Sequence, residues 1–236
     1  MFQPEIPHDR SLPNLTPDEL LSTTRAVRRR LDVTRPVPRE VLLDCTRLAQ
    51  QAPSGRNRQR WDFVFVTDPD RRRALADLWR RGLTSPAATQ SHSDPSRSGP
   101  SRHDFTAESG WHAIAESLRH LVGILDQVPV LLVPCIRVGS RAELDDPATQ
   151  AGTWGSVLPA VWSFMLAARS RGLGTVWTTP HLNYERQAAA LLGLPYETTV
   201  QCALIPVAWT IGTEFKPARR VPVTEVVHWN SWQSAQ

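Results

Sequence analysis

Between Trp154 and Ala168, small and large apolar residues occupy every side of a helical path. A helix without a polar face has to be enclosed by other elements, so this segment dictates a layered fold around itself. The 236 residues are enough for one large domain with a proper core. Gly172-Leu173-Gly174 ends the helix, because glycine most easily takes the left-handed cap conformation. Upstream, Val128 to Val138 is a continuous apolar run, consistent with a buried strand. No repeat and no linker divides the chain. It reads as one domain over 16–228, with an N-terminal arm at 1–15 and a C-terminal tail at 229–236.

The other elements follow from local punctuation. Thr16-Pro17-Asp18-Glu19 is a helix start, with threonine at the cap, proline at the first helical position and acids in the first turn. That helix is expected to run to about Arg30. Pro36-Val37-Pro38 breaks the chain, and Arg39 to Gln51 carries Val41, Leu42, Cys45, Leu48 and Ala49 at helical spacing. After the Pro53 loop, Trp61 to Thr67 reads as a strand rich in β-branched and aromatic residues. Asp68-Pro69 caps a helix through Leu75, Leu78 and Trp79. The Ser, Thr, Pro, Ala and His stretch at 82–105 reads as an insertion that is either a lid or without fixed structure. Further helices are expected at about 106–125 and 183–192, a short strand or extended loop at 175–179, and a last strand from Val200 to Thr210. Trp229 and Trp232 in the tail point to packing on another surface, such as a second subunit.

Arg25-Ala26-Val27-Arg28-Arg29-Arg30 places four arginines in six positions on the supposed helix. Like charges three and four apart repel there, so the stretch calls for an anion beside it. Nucleic acid is a poor candidate for that anion. Of the 27 basic residues only Lys216 is a lysine, and they spread from Arg10 to Arg220 rather than forming one patch interleaved with aromatics. The net charge of +4 adds little. Cys45, Cys135 and Cys202 form no CxxC pair and sit among apolar residues, as small buried hydrophobes of a reducing compartment. With no signal-peptide pattern and no apolar run of roughly 20 residues, a cytoplasmic protein that does not enter a membrane is expected. Ser156 lacks the second glycine of a nucleophile elbow. The histidines show no metal-ligand spacing, and no metal is expected; His181 reads as structural or catalytic. Lacking an evident acid–base set, the chain is expected to rely on a bound cofactor.

Thr24-Arg25-Ala26-Val27-Arg28, the Pro-Val-Pro break, Ala52-Pro53-Ser54-Gly55-Arg56-Asn57-Arg58-Gln59 and the following Phe-Val-Phe-Val strand together resemble the N-terminal signature of the FMN-dependent nitroreductase superfamily. Gly172-Leu-Gly-Thr-Val-Trp177-Thr178-Thr179-Pro180 resembles its second landmark, and Arg219-Arg220-Val-Pro-Val-Thr its third. The resemblance implies an α+β fold, a central mainly antiparallel or mixed sheet flanked by helices, in an intertwined homodimer. It implies FMN as cofactor and NADPH or NADH as electron donor. It implies that Thr24, Arg25, Ala26 and Arg28 meet the flavin phosphate, ribityl chain or pyrimidine edge, with Arg28 nearest N1 and O2, while Arg29 and Arg30 face solvent or the partner. Pro53, Ser54, Asn57 and Gln59 would reach the flavin from the other subunit. Trp177, Thr178 and Thr179 would lie beside the ring, the threonines as contacts of N5, and Arg219 and Arg220 would clamp the phosphate.

The implied activity is transfer of hydride from NAD(P)H through flavin N5 to an electron-poor small molecule, a nitroaromatic, quinone or enone. No catalytic side chain is expected, since the chemistry belongs to the flavin. This chain departs from the family pattern where Thr24 and Ala26 replace an arginine and a serine, and where Arg30 stands for an aromatic. Its Thr-Thr-Pro is closer to the iodotyrosine deiodinase and oxidase-like branches. Alternative roles are therefore an oxidase, dehalogenase or biosynthetic dehydrogenase with a dedicated substrate, and a non-catalytic flavin-sequestering protein.

Overall fold

The computed structural model describes residues 13–85 and 108–232. Most of the expected arm (1–12), most of the expected insertion (86–105) and the end of the tail (233–236) lie outside the described residues. Helix α1 spans Pro17–Thr23 and starts as its sequence requires. The Thr16 hydroxyl accepts from Glu19 N–H at 3.3 Å, and the Glu19 carboxylate accepts from Thr16 N–H at 2.8 Å.

The helix stops at Thr23 instead of running to Arg30. Thr24 has turned extended (φ −68°, ψ 125°), and Val27 N–H donates to Thr175 O at 2.9 Å. Leu31 then bridges to Thr210. The arginine stretch is thus an extended ribbon along the sheet, and the helical repulsion that its spacing implied does not exist. Burial of Val27 and Leu31 against the sheet outweighs the weak helical pattern of this segment.

Helix α2 covers Arg39–Ala49, and β1 covers Trp61–Val66. Helix α3 (Pro69–Leu83) has Asp68 as its cap, accepting from Arg71 N–H at 2.9 Å. Helix α4 (Glu108–Ile124) leads into β2 (Val130–Arg137), and helix α5 (Pro147–Ser170) into β3 (Leu173–Thr175). A 3-10 turn at Pro180–Tyr184 precedes helix α6 (Glu185–Leu192), so the helix expected from Asn183 begins two residues later. The strand expected from Val200 to Thr210 is two strands, β4 (Thr199–Gln201) and β5 (Ile205–Trp209). The break is where Cys202 N–H donates to Pro134 O and Leu204 turns to pair with Thr178.

The sheet runs β1-β2-β5-β3, with β4 also on β2, and every strand pair is antiparallel. Its central strand explains the unbroken apolar run. Val130, Leu132 and Ile136 enter a core shared with α2 and α5, whereas Leu131, Val133 and Cys135 enter a second core shared with α3 and α4. A strand covered on both faces has no polar side to show, even in an antiparallel sheet.

Helix α5 is longer than its apolar stretch. Val157, Ala160, Val161 and Phe164 are buried, but within one chain its enclosure is incomplete. Leu158 and Trp162, one turn apart, remain 39% and 42% exposed. On the opposite face of the sheet, α3 docks on the Pro180 turn so closely that a Cβ on Gly82 would collide with the Pro180 carbonyl. Asn183 Nδ2 ties the same junction by donating to Gly82 O at 3.0 Å. Among the described residues, no helix is long and apolar enough to cross a membrane.

Candidate functional site

Three lengths of chain far apart in sequence meet beside β3. The ribbon from Thr24 to Leu31 lies along Thr175, with Ala26 as its parallel bridge partner. The segment after β5 folds back over the ribbon: Ile211 N–H donates to Arg30 O at 2.8 Å, and Arg25 Nη1 donates to Lys216 O at 3.1 Å. Lys216 stands three residues before Arg219, so the first and third motifs adjoin. Thr175 in turn leads directly to Trp177, Thr178 and Thr179.

An extended ribbon separates its arginines differently from a helix. Arg28 is part-buried; its Nη1 donates to Ser117 Oγ at 3.3 Å, and its buried Nε has no partner among the described residues. Burial lowers its pKa below the ordinary arginine value, a shift that cannot discharge a guanidinium at neutral pH. Arg29 forms an exposed ion pair with Glu116. Arg30 was expected to face solvent or a partner, but it is bound to its own chain. Its Nε and Nη1 donate to the carbonyls of Ile211 and Glu214, both at 2.7 Å, and it lies 4.2 Å from the Phe215 ring centre.

The second motif divides in the same way. Thr178 is buried, and its hydroxyl donates to Leu204 O at 2.5 Å, so it has no proton to offer a ligand in this arrangement. Thr179 is exposed, and its hydroxyl has no partner among the described residues. Trp177 packs against the core of α2 and α5. Thr24 uses its hydroxyl locally, donating to Leu20 O at 2.6 Å, and Ala26 is exposed. Arg219 and Arg220 are exposed, and among the described residues Arg220 Nη1 reaches only the Arg219 carbonyl, at 3.0 Å.

The loop from Pro53 to Gln59 is not hydrogen-bonded to these three segments among the described residues. It sits on α5, where Gly55 N–H donates to Ser156 Oγ at 3.0 Å. Ser54 Oγ accepts from Gln59 N–H at 3.1 Å, and Gln59 Nε2 donates to Asn57 Oδ1 at 2.9 Å. Arg56, Asn57 and Gln59 have φ of 54°, 52° and 50°. Each such non-glycine residue costs on the order of 1 kcal/mol, which a loop retains where its shape is needed. A cavity of about 390 Å³ beside it is lined in part by Arg56, Arg58, Glu143 and Ser156.

Sequence reasoning missed three participants. Ser117, on α4, and the carbonyls of Ile211 to Lys216 hold the arginines, and a backbone acceptor leaves no mark in a sequence. Phe215, a lone aromatic among charged residues, was a readable signal. The other candidates resolve simply: His181 is fully buried and lowered to about 4 by burial, a structural setting. The cysteines are buried, and burial raises Cys45 and Cys135 to about 12 and Cys202 higher still. No group of His, Cys, Asp or Glu suited to hold a metal ion occurs among the described residues.

The family model described as Nitroreductase family matches residues 21–209, from α1 to the end of β5. The chain belongs to the Nitroreductase family. This nitroreductase-family chain is 28% identical over 195 residues to iodotyrosine deiodinase 1 of Rattus norvegicus, a match covering 81% of this chain and 61% of that protein. Its fold is similar to that of iodotyrosine deiodinase bound to FMN and 3-iodo-L-tyrosine (TM-score 0.65, 22% identity, 91% of this chain and 99% of that one). It is equally similar to a mutant of the FMN and NADPH-dependent nitroreductase NfnB from sphigopyxis sp. strain HMH (TM-score 0.65, 23% identity, 92% of this chain and 100% of that one). The expected nitroreductase-like architecture, a mostly antiparallel sheet flanked by helices, is the one observed.

Proposed function

We propose that this protein is an FMN-dependent oxidoreductase in which NADPH or NADH serves as donor and an electron-poor small molecule as acceptor. The observation carrying this reading is the meeting of the three motif segments beside β3, on the ribbon that bears Arg28, whose buried Nε is unpartnered among the described residues. A donor set of this kind fits a flavin mononucleotide. Arg25, Lys216, Arg219 and Arg220 form no ion pair among the described residues, so their charge is available to a phosphate. Bound FMN would supply reversible two-electron chemistry at N5. Arg28 would hold a fixed cation at the pyrimidine edge, where negative charge grows on reduction. Thr179, with its uncommitted hydroxyl, is the better N5 contact, because Thr178 is tied to Leu204.

The site is completed by a second copy of the chain. The strained Pro53 to Gln59 loop, carrying Ser54, Asn57 and Gln59, would enter the partner's flavin site, and the uncovered Leu158 and Trp162 on α5 support burial of that helix between subunits. Such a homodimer works in the cytoplasm on diffusible substrates. A second reading, a dehalogenase or another enzyme with a dedicated substrate, is favoured by the Thr178-Thr179-Pro180 segment and by the similarity to iodotyrosine deiodinase 1.

Spectroscopy of the purified protein tests the main reading. It should be yellow or take up FMN, and anaerobic NADPH or NADH should bleach the flavin band, with a nitroaromatic or quinone restoring it. Protein that neither carries nor takes up FMN would overturn the assignment. Flavin that nicotinamide does not reduce, but that turns over with a halogenated phenol and another reductant, would select the second reading.

A further inference from the structure

Arg169, in the last turn of α5, is only 3% exposed. Its Nε and Nη1 have no partner among the described residues, and Nη2 meets only Thr23 Oγ1 at 3.5 Å, the outer limit of a hydrogen bond. It forms no ion pair among the described residues. What it faces is the ring of Phe215, whose centre lies 4.7 Å from the guanidinium carbon, and a second cation, Arg30, lies 4.2 Å from the centre of the same ring.

These contacts do not balance the charge. A cation–π contact contributes about 0.5–2 kcal/mol, whereas taking an unpaired ion out of water costs several kcal/mol. A lysine could discharge to escape that cost, but arginine stays charged. Burial first and Arg30 second both disfavour the charged form, so the site accumulates positive charge with no acid paired to Arg169 among the described residues. The end of a helix offsets only a fraction, roughly 0.3–1 kcal/mol.

We propose that Arg169, with Arg30, Thr23 and Phe215, forms an anion site for a carboxylate, separate from the flavin site. Arg169 reaches Thr23 at the end of α1, whereas Arg28 donates to Ser117 on α4 and Arg25 to the Lys216 carbonyl. A carboxylate here would be held by the open donors of Arg169 and would join the ends of α1 and α5 to the segment from Ile211 to Lys216. That segment also carries the backbone acceptors of Arg25 and Arg30, so an occupied site would steady the ribbon that bears the first motif. Two sources supply the same chemistry. One is a small free carboxylate; the other is a side chain of the residues before Pro13, which include Glu5 and Asp9. Pro13 Cδ lies 3.9 Å from where a Cβ on Gly172 would stand, three residues beyond Arg169.

The test is the thermal midpoint of the full chain as purified, with sodium acetate exchanged against a bulky sulfonate salt at constant ionic strength. For a free ligand, acetate raises the wild-type midpoint saturably by roughly 2–4 °C, and Arg169→Met abolishes the rise. For the chain's own carboxylates, the wild type ignores acetate, while the E5Q/D9N double variant melts lower by a similar amount and regains it with acetate. If Arg169→Met does not fold, the wild type and the double variant decide. Wild type and double variant that melt alike and ignore acetate would overturn the site. So would a folded Arg169→Met protein that loses FMN as Arg28→Ala does, since the residue would then belong to the flavin site. The acetate response is read with or without flavin, so it fails or succeeds independently of the cofactor assignment.

Discussion

Arg28 and Arg29 are neighbours with opposite fates. Arg28 is part-buried with an idle Nε, while Arg29 spends its charge on Glu116 at the surface. A charge-assisted hydrogen bond removed from a binding site costs about 1.5–3 kcal/mol, whereas an exposed ion pair contributes about 0–1 kcal/mol. Arg28→Ala should therefore weaken FMN binding on the order of 10- to 100-fold, with Arg29→Ala changing it little; flavin fluorescence titration of the apoprotein measures both, and equal losses would refute the assignment. His181 offers a pH test. Burial lowers it from 6.5 to about 4 in the folded chain, so on acidification the unfolded chain takes up the proton first. Its stability contribution is complete above about pH 6.5, falls by on the order of 3 kcal/mol towards pH 4, and is flat below that. Urea midpoints of the wild type should slope downward across this window, and His181→Leu should remove that part of the slope.

At the scale of elements, the close approach of α3 to the Pro180 turn makes a counter-intuitive substitution informative. Gly82→Ala places a better helix former in a helix, worth about 1 kcal/mol, yet the new methyl meets a backbone carbonyl that cannot rotate away. Overpacking of this kind costs about 1–3 kcal/mol, so the midpoint should fall in a thermal melt; a rise would mean that the junction yields. What the sequence revealed of the elements depended on where their stability originates. The Thr16 capping box, the Asp68 cap and the doubly buried β2 are decided by residues within each element, and they stand as expected. The Arg25 to Arg30 stretch was misread as helical because its conformation is fixed by Thr175 and Ile211, more than 140 residues away. The division of the last strand follows from Thr178 pairing with Leu204, again beyond local pattern. The motifs named the right segments for the candidate site, but they could not show that Thr178 would commit its hydroxyl inside the protein or that Arg30 would bind its own chain.

For the molecule as a whole, Leu158 and Trp162 are the points where one chain leaves its longest helix uncovered. If that face meets a second copy, Trp162→Glu should shift the mass seen by light scattering towards the monomer and lower FMN content with it, because each site would lose the partner's Ser54 loop. A monomeric wild type that retains FMN would refute the composite site. The three cysteines have a practical bearing on such experiments. All are enclosed, Cys45 in the core of α2 and α5, Cys135 against α3 and α4, and Cys202 at the break between β4 and β5. Burial also keeps them as thiols rather than reactive thiolates. The native chain should therefore be silent towards a thiol-specific dye and yield three equivalents once urea opens it. A single cysteine introduced on the surface could then be labelled without removing any natural one, while the enclosed thiols count how many molecules have come apart.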